Sequence, residues 1–253
     1  MKALLKKTVL PLMMVLGGVQ GVHAEVESEK SLADQFAVHG VLTLSNDYRS
    51  RGFSKSDHNP SVQGGLVLTH SSGAYLMLWG ASANTPNGGS VEADAILGYV
   101  WQLNDNASLD FFYADVNYPG GTGPSPDFGE YGVMYKHNNA LLDSDNVSLA
   151  AYYSPDYTFS SGNEYYYWGE YSAPIFKNIR GFASVGYTKQ DSVEDFNLGV
   201  APDADQKDYF DYKAGVRIDY KGVTTELAWV DNNIDSNMDM FDGRFYVGVT
   251  KQF

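Results

Sequence analysis

The feature that most constrains this chain is a regular alternation of apolar and polar side chains that recurs through most of its length. The clearest case is Val91–Gln102. Leu97 and Trp101 fall on one face of this segment, and Glu92 and Asp94 fall on the other. Successive side chains of a strand point to opposite faces, so each such segment is predicted to be a strand with one apolar and one polar face.

Turn residues divide the chain after residue 35 into about twelve such segments, an even number as in single-chain bacterial barrels. The predicted strands are Phe36–Arg51, Ser61–His70, Ala74–Ala81, Val91–Gln102, Ser108–Tyr118, Phe128–His137, Val147–Pro155, Glu164–Ser172, Gly181–Lys189, Asp208–Tyr220, Val223–Val230 and Asp242–Phe253. Because Ala74–Ala81 is apolar on both faces, its register stays open.

The connections between the predicted strands are alternately short and long. This pattern predicts an all-β fold, a single antiparallel up-and-down transmembrane β-barrel with short periplasmic turns and long extracellular loops. A soluble β-sandwich is the alternative, but a sandwich gives no reason for the alternation of loop lengths.

The first 24 residues have the pattern of a secretory signal peptide. Lysines near the start precede an apolar run, Thr8–Val19, which is too short for a stable membrane-spanning helix. Small residues predict cleavage after Ala24, and an uncleaved anchor is the alternative. We therefore expect a signal peptide at 1–24, a short periplasmic segment at 25–35 and the barrel at 36–253.

Composition supports an exported barrel. The chain has 17 basic and 31 acidic residues and a formal net charge of −14, which argues against nucleic acid as a partner. It has no cysteine, so an exported fold must be held without disulfides, and a closed hydrogen-bonded barrel does this. Its 19 Tyr, 13 Phe and 26 Gly also fit a barrel.

If the apolar faces meet lipid, the polar faces enclose a lumen, because a Lys or Arg facing lipid at mid-depth costs about 2–4 kcal/mol. Parity along the strands predicts a set of charged lumen and selectivity residues: Asp47, Arg49, Arg51, Glu92, Asp94, Glu130, Glu170, Asp211, Lys213, Arg217, Glu226 and Arg244. Arg49 and Arg51 are expected to project inward near the outer end of the first strand. The polar faces also predict an interior that is not dry.

Aromatic residues near the strand ends predict two girdles at the membrane interfaces. These are Tyr48, Trp79, Trp101, Tyr118, Tyr171, Tyr187 and Trp229.

The charged residues allow two interpretations. In the first, charged rings sort solutes in a narrow channel, and the acidic excess gives a weak preference for cations. In the second, the same charges pair into a network that fills a barrel too narrow to conduct. A structural or surface-adhesion barrel, with its outer loops as the active part, is therefore an alternative function.

A lipid-modifying outer-membrane enzyme is the second alternative, and the sequence does not favour it. Such enzymes need Ser and His within hydrogen-bond reach, and no Gly-x-Ser-x-Gly motif occurs. Asp235–Asp239 imitates the start of a calcium loop, but Met240 stands where glycine is needed. We predict no catalytic residue, no metal site and no cofactor.

The end of the chain looks like the closing strand of a bacterial outer-membrane barrel. In Asp242–Phe253, apolar and polar residues alternate and the last residue is aromatic. The resemblance implies that Phe253 belongs to the signal read by the barrel-insertion machinery. Lys251 departs from the usual apolar residue at its position, although a long Lys stem can snorkel to an interface. The expected location is the bacterial outer membrane, with its lipid, lipopolysaccharide and small solutes as partners.

The first predicted hairpin carries a second resemblance. Its core is Asp47-Tyr48-Arg49-Ser50-Arg51-Gly52, followed by Ser54-Lys55-Ser56, Pro60 and Gln63-Gly64-Gly65. This pattern resembles the opening signature of the TorF-type porins, exported proteobacterial proteins of about this length. The resemblance implies an outer-membrane barrel and a pore, and it implies no particular substrate.

Overall fold

The chain forms a closed antiparallel barrel of twelve strands in a computed structural model, which describes residues 35–85 and 87–253. The barrel strands are β1 (Phe36–Ser45), β4 (Ser61–His70), β5 (Ala74–Ser82), β6 (Val91–Gln102), β7 (Ala107–Asn117), β8 (Phe128–Asn138), β9 (Asn146–Ser154), β10 (Glu164–Phe176), β11 (Ile179–Gln190), β12 (Asp208–Tyr220), β13 (Val223–Asn232) and β14 (Arg244–Gln252). Two short strands, β2 (Arg49–Ser50) and β3 (Phe53–Ser54), pair with each other inside the first connection. The predicted signal peptide and its cleavage site at Ala24 lie outside the described residues.

Each barrel strand pairs with the next barrel strand along the chain, and β14 returns to β1. The closing register places Val41 opposite Gln252 and Ser45 opposite Gly248. The backbones of Gly40 and Phe253 extend this ladder with two N–H···O bonds of 2.7 and 3.0 Å. The ring therefore closes without an unpaired strand edge, which confirms the predicted up-and-down barrel.

The predicted first strand is wrong at its end. β1 stops at Ser45, and the predicted continuation to Arg51 instead turns into the barrel. The Ser45 Oγ donates to the carbonyl oxygen of Asp47 at 2.7 Å, and the Asn46 side chain donates to Phe245 at 2.9 Å. The Ser45 side chain thus bonds to a nearby carbonyl, and the Asn46 side chain bonds to a carbonyl of the neighbouring strand β14, where a continued β1 would have used its own backbone.

The connections define two ends of the barrel. The long-loop end holds the connections 46–60, 83–90, 118–127, 155–163, 191–207 and 233–243. The short-turn end holds 71–73, 103–106, 139–145, 177–178 and 221–222, together with the start of β1 and the end of β14. One long loop contains the helix α1 (Val193–Gly199), which the alternation did not predict. Among the described residues, no helix has the length and apolar character needed to cross a membrane.

The outside of the barrel is an apolar belt. Its exposed residues include Leu44, Val62, Leu66, Leu78, Leu97, Tyr131, Leu149, Val185, Trp229 and Phe245. The sequence left the register of β5 open. In the structure, Leu76 and Leu78 face outward, and Tyr75 and Met77 are buried inside the barrel. So much contiguous apolar surface is typical of a barrel whose outer face meets lipid.

The interior is partly apolar, so the polar strand faces do not line the whole of it. Tyr75, Met77, Ile96 and Phe112 belong to a buried cluster that fills the side bounded by β4, β5, β6 and β7. Three residues predicted for the interfacial girdles also lie inside the barrel. Tyr48 bonds to Glu92 there, Tyr118 is part of the apolar cluster, and Trp79 packs against that cluster. The alternation pattern gives no reason why an aromatic residue should not face inward.

Candidate functional site in the barrel lumen

The first long connection, residues 46–60 with β2 and β3, folds into the lumen, and we call it the inward hairpin. Phe53, Ser54, Arg49 and Arg51 on it are all buried. The predicted lumen residues Arg49 and Arg51 are therefore inside the barrel. They lie on the inward hairpin, however, and not on the wall of the first strand as expected.

Asp47 holds the inward hairpin together. Its carboxylate accepts hydrogen bonds from the Ser54 Oγ at 2.6 Å and the Ser56 Oγ at 2.9 Å. The same carboxylate contacts the His58 Nδ1 at 3.1 Å and the Arg49 guanidinium at 3.3 Å. Asp47 is thus fully engaged within the hairpin.

His58 uses both ring nitrogens in tethering loops. Its Nδ1 contacts Asp47, and its Nε2 contacts the backbone oxygen of Asp239 at 2.7 Å. A serine hydrolase needs the nitrogen that does not face the acid to contact the serine oxygen. Here that nitrogen contacts a backbone carbonyl, so this His–Asp pair is arranged to join the inward hairpin to the loop 233–243.

Arg49 fastens the inward hairpin to the wall beside β14. Its guanidinium donates to the carbonyl oxygens of Gly52 at 2.7 Å and Asp242 at 2.8 Å. The contact with Asp242 reaches the loop that precedes β14. Arg49 therefore acts within a charge-paired anchor, since Asp47 balances its charge.

Arg51 reaches the opposite wall. Its guanidinium forms ion pairs with Glu130 on β8 and Glu164 on β10, and it lies 4.5 Å from the centroid of the Tyr166 ring. These two strands flank β9, which lies halfway around the ring from β1. The inward hairpin therefore spans the lumen at its long-loop end.

Gly52 forms the tip of the inward hairpin against the wall. Its φ of +85° lies in the left-handed region, and the Asn232 Nδ2 donates to its carbonyl oxygen at 3.0 Å. A Cβ at this position would lie 2.5 Å from the Cβ of Asp211. Both the conformation and the close approach require glycine.

Apolar residues from two other long loops cover the inward hairpin. Phe53 packs with Phe196 of α1, Tyr209 and Phe241 in a buried cluster, and the rings of Phe53 and Phe241 are 5.3 Å apart. The loops 191–207 and 233–243 are thus folded over the opening of the barrel at its long-loop end, which we call the mouth. This cluster adds apolar packing to the polar anchors of the hairpin.

A second charge network lies on the wall formed by β10, β12 and β13. Arg217 donates to both carboxylate oxygens of Glu170 at 2.8 Å and, through its Nε, to Glu226 at 2.9 Å. Lys213 forms an ion pair with Glu226, and the Arg217 guanidinium lies 3.7 Å from the centroid of the Phe182 ring. Two cations and two carboxylates thus neutralise one another in this network.

The remaining predicted lumen residues lie at separate positions in the barrel. Glu92 is buried and accepts a hydrogen bond from the Tyr48 hydroxyl at 2.5 Å, and Asp94 is the next inward residue of β6. Asp211 is buried 3.4 Å from the Tyr166 hydroxyl. Arg244 is exposed at the long-loop end of β14 and belongs to the rim. The predicted set is therefore not one ring of charge.

A cavity of about 110 Å³ lies between the inward hairpin and the short-turn end. It is lined by Tyr48, Arg49, Ser50, Gln63, Trp79, Lys213, Thr224, Glu226, Tyr246, Gly248 and Thr250. These residues come from the hairpin and from β4, β5, β12, β13 and β14, and one of them, Trp79, also packs against the apolar cluster.

Several of these cavity residues were not predicted from the sequence. Gln63, Trp79 and Tyr246 were not among the lumen candidates because that choice was restricted to charged side chains. The parity of β14 already placed Tyr246 on the same face as Gly248 and Thr250. Only the folded hairpin shows that Tyr48, Arg49 and Ser50 line the same space.

Among the described residues, no group of three or more His, Cys, Asp or Glu side chains is placed to hold a metal ion. The acidic loops instead bond to neighbouring chain segments. Asp203, for example, accepts hydrogen bonds from Ser236 and Asn237 in the loop 233–243.

Solved structures with similar folds include two porins. The NanC porin is 11% identical to this chain, with a TM-score of 0.54 and coverage of 83% of this chain and 97% of that one. The KdgM porin, solved in complex with disordered oligogalacturonate, is 11% identical, with a TM-score of 0.51 and coverage of 85% and 98%. At this identity the likeness concerns the fold.

The sequence comparisons identify a family. No curated protein matches the chain. The TorF-type resemblance of the first hairpin is not confirmed by these comparisons and stays a prediction. A family model matches residues 29–253, and the chain thus belongs to the family described as bacterial protein of unknown function (Gcw_chp).

Proposed function

We propose that this protein is an outer-membrane channel that passes small solutes or ions through a narrow charged lumen with a weak preference for cations. The observation that carries the proposal is the cavity in the barrel lumen, which is lined by both polar and aromatic side chains. Two similar folds are porins, and the apolar belt of this barrel suits a bilayer. The resemblance to TorF-type porins points the same way.

The proposed route follows the side of the lumen formed by β12, β13, β14 and β1. Inward residues there include Thr43 and Thr250, whose hydroxyls are 2.7 Å apart, and the paired charges of Lys213 and Glu226. The apolar cluster fills the other side. The route is therefore narrow, and it is lined by groups that can replace part of the water around a solute.

The inward hairpin is the proposed constriction of this route. It crosses the lumen through the ion pairs of Arg51 and is fixed at its other side by Arg49. Conduction through the long-loop end requires passage beside this hairpin. Carboxylates such as Glu92, Asp94 and Asp211 lie near it and provide the acidic excess from which the weak cation preference follows.

The proposed location is the bacterial outer membrane, where lipid and lipopolysaccharide surround the belt. Export would use the predicted signal peptide that ends at Ala24, and assembly would use the terminal aromatic Phe253. Phe253 is exposed, and its ring lies against Gly40 on the outer face of the β1–β14 seam. That exposure leaves the ring accessible to an insertion machine.

Planar-bilayer recording tests the proposal. Refolded wild-type protein is expected to conduct and to select weakly for cations. Arg49→Ala and Arg51→Ala are expected to raise conductance, because each removes an anchor of the hairpin, and to strengthen cation preference. Lys177→Ala removes an exposed cation at a short turn and serves as the matched control. Absence of conductance in every variant, or clear anion preference of the wild type, would contradict the channel.

A non-conducting structural or surface-adhesion barrel is the competing function, and the span of Arg51 across the lumen favours it. In that case the wild type and both arginine variants stay closed in bilayers. Shortening of the loop 191–207 would then remove binding to cells or matrix while the barrel remains folded. Conductance that survives this shortening, with adhesion lost, would indicate that one barrel serves both functions.

A further inference from the structure

Lys251 lies on the outer face of the barrel, near the short-turn end. It has the same parity along β14 as Val249 and Phe253, which are both exposed on the apolar belt. Its register partners on the two neighbouring strands are Leu42 of β1 and Val223 of β13. This outward row therefore places apolar residues, and no carboxylate, on either side of the lysine.

The ammonium group of Lys251 reaches the turn between β12 and β13. A Cβ on Gly222 would lie 2.9 Å from the Lys251 Nζ, so the aliphatic stem runs along the outer face towards this turn. A lysine placed in this way keeps its stem on apolar surface and its charge at the level of the lipid headgroups. The exposed ammonium of Lys251 thus marks the lower border of the apolar belt.

Lys221 brings a second ammonium group to the same turn. Lys221 and Gly222 are its two central residues, with φ of +50° and +76°. Turns of this kind favour Asn or Gly at the first central position, because both central residues have positive φ, so a lysine there is unusual. The Lys221 Nζ lies 5.2 Å from the centroid of the Tyr220 ring, which is exposed on the outer face. The second cation is therefore also beside the belt.

The chain itself does not neutralise these two lysines. Lys221 and Lys251 form no ion pair with any residue that the structure describes. Asp219, the acid closest to Lys221 in the sequence, faces inward and accepts a hydrogen bond from the Thr224 Oγ1 at 2.6 Å. Two unpaired ammonium groups at one turn favour an anion whose oxygens accept hydrogen bonds from both.

The charge of the short-turn end is uneven around the ring. The connections after β10 and β12 contain Lys177 and Lys221 and no acidic residue. The connections after β6 and β8 contain Asp105, Asp143 and Asp145 and no Lys or Arg. Because β10 to β14 are consecutive in the ring, the lysines gather on one side of this end. An anionic partner is favoured on that side.

We propose that Lys221 and Lys251, with Tyr220 beside them, bind the phosphate of an anionic phospholipid in the leaflet at the short-turn end. The apolar belt continues to these ammonium groups through Leu42 and Val249, so the acyl chains of the same lipid lie against the belt. A soluble phosphate would use only the charged half of this surface. The inference rests on the proposed membrane location, and it requires no open lumen.

Native mass spectrometry of the refolded protein released from detergent micelles tests the site, because it resolves single bound lipids. Phosphatidylglycerol is the probe, and phosphatidylcholine with the same acyl chains is the neutral counterpart. We expect one phosphatidylglycerol to bind about tenfold more tightly than phosphatidylcholine. Glycerol 3-phosphate at the same concentration as the lipid is expected to displace none of it, because it has no acyl chains.

Two variants locate the site. Lys251→Gln and Lys221→Asn are each expected to weaken phosphatidylglycerol binding about fivefold, the effect of one lysine near an anionic lipid, and to leave phosphatidylcholine binding unchanged. Asparagine suits the positive φ at position 221, so this variant keeps the turn. Lys251→Arg retains the charge and should retain the binding. The migration of the folded band in gel electrophoresis verifies the fold of each variant.

Lys189→Gln is the matched control. Lys189 also projects outward from a barrel strand, at the long-loop end of β11, but its register partner on β12 is Asp208. A carboxylate beside it offsets its charge, which Lys251 lacks in its own row. Phosphatidylglycerol binding by Lys189→Gln should therefore equal that of the wild type.

The outcomes separate this inference from the channel proposal. Equal binding of the two lipids, equal losses in Lys251→Gln and Lys189→Gln, or displacement by glycerol 3-phosphate at equal concentration would each overturn the lipid site while leaving the channel. Selective phosphatidylglycerol binding in a protein that never conducts would instead retain the site and refute the channel.

Discussion

At the scale of single residues, the site depends on groups whose environment the fold changes. Arg51 is predicted from the sequence to project inward from the first strand, whereas the structure places it on the inward hairpin between Glu130 and Glu164 of the far wall. Gly52 follows it with a φ of +85° and packs against β12 and β13. These adjacent residues decide whether the inward hairpin spans the lumen.

Gly52→Ala is predicted to detach the tip of the hairpin. The new Cβ would meet the Cβ of Asp211 at 2.5 Å, so the hairpin or the wall must move. Single-channel conductance should rise or become noisy relative to the wild type. Gly88→Ala is the control, because Gly88 has the same φ of +85° but nothing within 4 Å of its Cβ position. Equal conductance changes in both variants would mean that backbone strain, and not the contact, is responsible.

Arg217→Leu is predicted to destabilise the barrel. It leaves Glu170 without its bidentate partner in a buried position, and breaking a buried pair typically costs about 3–5 kcal/mol. Urea unfolding in lipid vesicles measures the free energy of unfolding. Arg217→Leu combined with Glu170→Leu should recover part of the loss, since no unpaired carboxylate then remains at position 170. No recovery would show that packing on Phe182 dominates.

At the scale of elements, the long loops hold each other over the mouth. α1 supplies Phe196 to the cluster that covers Phe53, and Ser192 caps this helix by accepting a hydrogen bond from the Asp195 backbone at 3.1 Å. Asp203 then ties the same loop to the loop 233–243. The mouth is therefore built by three connections and not by the hairpin alone.

The hydrogen bonds by which Asp203 joins the loop 191–207 to the loop 233–243 are predicted to depend on pH. Hydrogen bonds from the Ser236 Oγ and the Asn237 N–H hold the pKa of Asp203 below its usual value. Its stabilising contribution is therefore fully present above the ordinary carboxyl pKa of about 3.9 and is lost as pH falls through the lowered value. The Asn237 amide resonance should titrate with a midpoint below about 3.9, and Ser236→Ala should raise that midpoint. A wild-type midpoint at or above the ordinary value would contradict the tie.

At the scale of the whole molecule, stability depends on closing the ring. β14 pairs with β1 along the seam, and the ring of Phe253 lies over Gly40 on its outer face. A closed barrel satisfies its backbone groups only when this last pairing forms. The seam is also the one barrel junction made by strands that are distant in sequence.

Gly40→Val is predicted to weaken the seam. A Cβ at position 40 would lie 2.3 Å from the Phe253 ring and would displace it. The temperature at which the folded band is lost in heat-modifiable gel electrophoresis should fall. Gly80→Val is the control on β5, because its Cβ position is 3.5 Å from the nearest atom. Valine favours strands, so this control should be unchanged or slightly more heat-resistant. Equal losses in both variants would argue against a role for the Phe253 contact.

The barrel architecture follows from the alternation of apolar and polar residues in the sequence. Alternation has the same period as the strand, so it assigned most strand bounds, the outward belt and the inward direction of residues such as Glu170, Arg217 and Glu226. The difference between long and short connections then predicted the two ends. These properties are local, because each is set within about ten residues of the chain.

The contents of the lumen, in contrast, become visible only in the folded barrel. The alternation could not show that residues 46–60 leave the wall at Ser45, or that Arg51 pairs with carboxylates on β8 and β10. It also gave no sign that Gln63, Trp79 and Tyr246 border one cavity with the hairpin. Such contacts join residues far apart in the chain, and their geometry exists only after the ring has closed.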